Sequence, residues 1–147
     1  MVYKFRFLSD ESDSFLLDVE IKGDQTFFDL HKSMQAALGY DPTQLCSFFT
    51  TDESWEKQQE ITLLEMTDDA VVMDVAQIDE FLKSKKQRLL YVFDYFTERS
   101  LFGAITEITS KNQGTELPKV TRLVGTPPKQ NTDDNQVDTL IDKISEN

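Results

Sequence analysis

The chain has 147 residues, 39% of them hydrophobic, and 27 acidic against 15 basic side chains give a formal net charge of −12. A chain of this length hides roughly two thirds of its unfolded surface, so one domain holds a core without metal or disulfide staples. The single cysteine, Cys46, rules out an intramolecular disulfide, and the negative field repels phosphate backbones, which makes general nucleic-acid binding a poor first reading.

The N-terminus, MVYKFRFL, alternates and lacks the apolar stretch of a signal peptide. No segment approaches the ~20 apolar residues of a membrane span, so a soluble cytoplasmic protein with no membrane contact is expected. Tyr3, Phe5 and Phe7 share one face of a strand over Val2 to Leu8. Phe15, Leu17, Val19 and Ile21 share one face of a second strand, across the polar turn Ser9 to Asp13. Two alternating runs joined this way predict a β-hairpin.

Thr26 to Tyr40, TFFDLHKSMQAALGY, is the longest helical pattern. Phe27, Leu30, Met34, Ala37 and Leu38 recur at three- and four-residue steps. Thr26 is placed to cap it, Asp29 stands where a capping-box acid belongs, and Gly39 suits a left-handed stop. Asp41 and Pro42 open a turn, and Leu45 to Thr50 predicts a third strand with Phe48 and Phe49 on opposite faces. Ile61 to Met66 reads as a short strand or extended piece. Asp74 is a candidate cap for a short second helix with Val75, Ile78, Phe81 and Leu82 on its apolar face.

Leu89 to Phe96, LLYVFDYF, is the most apolar run and predicts a central strand buried on both faces; Asp94 interrupts it and needs a partner if buried. Leu101 to Ile108 returns as the next strand. Lys111 to Thr115 reads as a loop and Leu117 to Val124 as an edge strand, and Pro127 and Pro128 end regular structure. These elements predict a domain over 1–128 followed by an acidic tail over 129–147. In the tail, Val137, Leu140, Ile141 and Ile144 lie at helical spacing and form a candidate partner-docking helix. An isolated helix that short is marginal in water and needs something to dock on. The fold class is α+β: a two-layer arrangement in which one main helix and one short helix cover a mixed, mostly antiparallel sheet. The element order resembles the ubiquitin-like roll, a likeness of fold that carries no activity.

His31 is the sole histidine, which excludes His-based catalytic pairs and multi-histidine metal sites. Cys46 has no other base to activate it and reads as a structural thiol. The pairs Asp68–Asp69 and Asp133–Asp134 sit in turn-like contexts and read as surface acids, and no phosphate loop, GxGxxG, GxSxG or CxxC occurs. No metal, cofactor or catalytic constellation is therefore expected. Lys83, Lys85, Lys86 and Arg88 form the basic cluster, read first as complementing a helix C-terminus and otherwise as phosphate contacts.

The helix residues Thr26–Phe27–Phe28–Asp29–Leu30–His31, Met34–Gln35 and Ala37–Leu38–Gly39–Tyr40 resemble the "tLxDLHxxIQxAFGW" signature of the plasmid pRiA4b ORF-3-like family. Tyr91, Phe93 and Asp94 match its "Y-x-YDFGD" strand, and Pro118, Gly125, Pro127 and Pro128 resemble its "P…G…PPED" run. The Gly, second Asp, Trp and His that follow in the family's strand motif are absent here, and the family's His before the third strand's Leu is Gln44 here. The resemblance implies the fold and a loose association with plasmids and mobile elements, but no assigned biochemistry. It leaves His31, Gln35, Tyr91 and Asp94 as candidate binding residues. The functional expectation is a non-enzymatic interaction or adaptor module with a protein partner or a second copy of itself. The alternative is a nucleic-acid accessory protein acting through Lys83, Lys85, Lys86 and Arg88.

Overall fold

A computed structural model describes residues 1–110 and 116–131. Its elements are β1 (Val2–Ser9), β2 (Leu16–Lys22), α1 (Phe27–Leu38), β3 (Ser47–Thr51) and β4 (Lys57–Thr62), then β5 (Val71–Val72), α2 (Ile78–Phe81), β6 (Arg88–Asp94), β7 (Arg99–Thr109) and β8 (Lys119–Val124). One eight-stranded sheet runs in the order β5-β4-β3-β6-β7-β1-β2-β8. All pairings are antiparallel except β4 with β5, so the protein is α+β with a mixed sheet and two helices.

Register explains where the core lies. Tyr3 pairs with Ile21, Phe5 with Val19 and Ile105, and Tyr91 with Phe48 and Leu101, which puts these residues on one face of the sheet. α1 packs on that face. The Phe27 ring lies 5.4 Å from that of Phe48, and Leu30 and Met34 are fully buried. The cap is the expected capping box: Asp29 N–H donates to Thr26 Oγ1 and Thr26 N–H to Asp29 Oδ2, each at 3.1 Å. Gly39 closes the helix at φ 70°, where a residue without Cβ is unstrained.

The opposite face divides in two. Across β2, β1 and β7 it carries ion pairs, with Arg6 on Asp18 and Lys4 between Glu20 and Glu107. Across β7, β6, β3 and β4 it carries cations over aromatic rings: Arg88 above Trp55 at 4.7 Å and Lys57 above Phe49 at 4.6 Å. Long side chains laid over rings keep their charged heads wet and their stems on apolar surface.

Four elements depart most from the sequence reading. The fourth strand is Lys57–Thr62, with Leu64 and Met66 exposed, because Ile61 must face Phe48 and the polar Lys57 to Glu60 can occupy the outer part of the sheet. β5 carries no periodic signal, since two residues are too few for one. The second helix begins at Ile78 with Gln77 as its cap, and Val75 is exposed. The preceding chain is held open: Phe27 N–H donates to Ala76 O and Phe28 N–H to Met73 O, both at 3.0 Å. Those are amides that the start of α1 leaves without helical partners, so satisfying them keeps 73–76 out of a helix. Finally, β6 ends at Asp94, which pairs with Arg99, and Phe96 is turned to solvent. The loop predicted at 111–115 and the docking residues Val137, Leu140, Ile141 and Ile144 lie outside the described residues.

Candidate functional site

The 3.6-residue period of α1 puts His31 and Gln35 one turn apart beside the apolar stripe, above Tyr91 in the middle of β6. Gln35 Nε2 donates to the Tyr91 hydroxyl at 2.5 Å, and His31 Nδ1 lies 2.8 Å from the same oxygen. The oxygen accepts from Gln35, so its proton points to Nδ1. The neutral imidazole then carries its own proton on Nε2. Burial drives the electrostatics throughout. It lowers the His31 pKa to about 4, raises that of Cys46 to about 11, and holds Tyr91 well above its ordinary value. Gln35 Nε2 also sits 3.7 Å from Cys46 Sγ. At neutral pH the four groups are uncharged, and they form a fixed buried network.

Beside this network lies a concavity of about 420 Å³. Phe28, Lys32 and Ala36 of α1 form one wall, and Tyr40, Pro42 and Leu63 close it; His31 and Gln35 also line it and are its most buried members. Lys32 Nζ stands 4.9 Å over the Phe28 ring. The Gln35 Oε1 atom is buried with no hydrogen-bond partner among the described residues. The structure thus brings together three of the predicted binding residues, His31, Gln35 and Tyr91.

Asp94 goes elsewhere. It pairs with Arg99 Nη1 at 3.3 Å, and Arg99 also grips Glu11 at 2.7 Å, which supplies the partner a buried carboxylate needs. Arg99 further donates to the carbonyls of Lys129 and Gln130, at 2.6 and 3.1 Å. The basic cluster is also split. Lys83, Lys85 and Lys86 are exposed in the turn after α2, while Arg88 belongs to the outer sheet face, over Trp55 and bonded to Glu53 O. Phe28, Lys32, Ala36 and Leu63 went unread as site residues. The first three share one side of α1, a signal present in the sequence, but Leu63 joins them only through the sheet. Among the described residues no group of three metal-ligating side chains occurs.

A family model described as "Plasmid pRiA4b ORF-3-like protein" matches residues 7–136. The chain belongs to that family. Among solved structures, this pRiA4b ORF-3-like chain is similar to MM3350, a protein of unknown function from Methanosarcina mazei Go1. The TM-score is 0.68 at 20% identity, over 83% of this chain and 68% of that one. The likeness shows a shared fold. No curated protein matches the sequence. Among the described residues of this family member, no helix is long and apolar enough to cross a membrane.

Proposed function

We infer that this pRiA4b ORF-3-like protein is a non-enzymatic interaction module of the cytoplasm, which receives an apolar group of a partner protein in the α1 groove. The reading takes the fold as two layers, related to the ubiquitin-like roll, with α1 as the cover and its outward side as the recognition surface. The observation that carries it is the groove itself: mostly apolar walls around two buried polar groups, within the size range of binding pockets. The adjacent network supports recognition over chemistry. A thiol raised to about 11 and an imidazole lowered to about 4 are a protonated nucleophile and a weak base at neutral pH.

A phage-displayed peptide library panned against the protein tests this. Wild type is expected to enrich sequences with an apolar anchor, and Ala36→Trp, which fills the groove from an exposed helix position, is expected to lose them. Enrichment that survives in Ala36→Trp, or turnover in a broad substrate screen that Ala36→Trp abolishes, would overturn the reading. The second reading, a mobile-element nucleic-acid accessory protein, is favoured by the exposure of Lys83, Lys85 and Lys86 in one turn. It requires retardation of DNA or RNA at low salt that weakens in a Lys85→Glu, Lys86→Glu double variant.

A further inference from the structure

The chemistry lining the α1 groove is asymmetric. Among the described residues Lys32 is its one cation, and no carboxylate lines it. The nearest acid, Asp29, stands 3.8 Å from Lys32 Nζ, and the lysine side chain is 59% exposed. An ammonium so placed is free to take a second anion. One turn along the helix, Gln35 also lines the groove, and its buried amide oxygen has no hydrogen-bond partner among the described residues. An orphaned acceptor of that kind costs stability until a donor reaches it.

Residues three apart on a helix hold their Cβ atoms about 5–6 Å from each other. The last residue of a polypeptide offers a matching pair. Its N–H and its carboxylate flank one Cα, and its side chain leaves from between them. The geometry points to the carboxyl-terminal residue of a partner polypeptide as the guest of the groove, its carboxylate on Lys32 Nζ, its N–H on Gln35 Oε1, and its apolar side chain among Phe28, Ala36, Pro42 and Leu63. This rests on the interaction reading above and names its partner. An acylated N–H beside the carboxylate is what the amide oxygen selects. A simple fatty or aromatic acid lacks that donor, and a free amino acid would have to bury an ammonium beside it, which costs far more than burying an amide N–H. The volume of about 420 Å³ leaves room for more than the last side chain, as an extended peptide end requires.

The test is fluorescence anisotropy with fluorescein-labelled Gly-Ser-Gly-Ser-Phe, as the free acid and as the C-terminal amide. The acid is expected to bind about tenfold more tightly than the amide, the scale of one charge-assisted contact. Lys32→Gln should erase the difference, and added salt should narrow it. Ala36→Trp should abolish both. Lys32 and Ala36 are exposed on α1, and circular dichroism checks that each variant folds. Equal binding of acid and amide, with both lost in Ala36→Trp, overturns the carboxylate assignment and leaves the groove reading standing. Acid binding unchanged in Ala36→Trp, or no binding of either peptide while panning still enriches internal apolar anchors, also overturns the assignment; the first of these removes the groove reading too. N-acetylphenylalanine competing as well as the pentapeptide would assign the site to small acylated acids and overturn the polypeptide as its source.

Discussion

His31 illustrates how burial sets chemistry at a single residue. The residue is 2% exposed, its ring faces the Tyr91 hydroxyl, and no carboxylate lies within hydrogen-bond reach among the described residues, so desolvation alone moves its pKa to about 4. The sign of the consequence follows. Between about pH 6.5 and 4 the unfolded chain takes up a proton that the folded chain refuses. This stabilisation is complete above the unfolded pKa and is lost as the pH falls through that window. A shift of this size corresponds to something on the order of 3 kcal/mol. Urea unfolding at about pH 7 and about pH 4.5 checks it. Wild type is expected to lose more stability on acidification than His31→Gln, and parallel losses would locate the pH dependence elsewhere.

Among the elements, β7 has the tightest fit. Gly103 lies opposite Phe7 on β1 and Leu89 on β6, and a Cβ there would sit 2.4 Å from a Phe7 ring carbon and 3.0 Å from Leu89 O. Phe7 is fully buried, so its ring has nowhere to retreat. Gly103→Ala is therefore expected to cost about 1–3 kcal/mol through overpacking, despite the usual gain of replacing Gly in a strand. A midpoint in urea equal to or above wild type would show that the sheet yields more easily than its packing implies. The position of Gly103 in a strand was plain from the alternation of its neighbours. That it lies under an aromatic ring six strands earlier in the chain was not, because a glycine contributes no side chain to any pattern.

Across the whole molecule, Arg99 joins parts distant in sequence. It ties Glu11 after β1, Asp94 at the end of β6, and the carbonyls of Lys129 and Gln130. The same C-terminal segment meets α1's exit: the Tyr40 hydroxyl donates to Pro128 O at 2.5 Å, and the Asp41 amide donates to Gln130 Oε1 at 2.7 Å. Arg99→Gln leaves the Asp94 carboxylate, 8% exposed, without its cation, and is expected to cost about 2 kcal/mol. Hydrogen exchange gives a local readout. The Asp41 amide should exchange faster in the variant, and unchanged protection would mean that Tyr40 and Gln130 hold the segment unaided.

Sequence by itself determined what local periodicity and local capping can determine. The hairpin of β1 and β2, the length, face and both ends of α1, and the centrality of β6 all follow from side-chain spacing and from a few residues, Thr26, Asp29 and Gly39, whose preferences are intrinsic. The family membership was legible in the same helix. Tertiary structure decided the rest. The start of α2 moved because α1's free amides needed the carbonyls of Met73 and Ala76, a demand made by a segment some fifty residues away. His31, Gln35 and Tyr91 became one cluster, and Asp94 left it for Arg99, because β-sheet register fixes which side chains meet, and register is a property of paired strands that no single strand encodes.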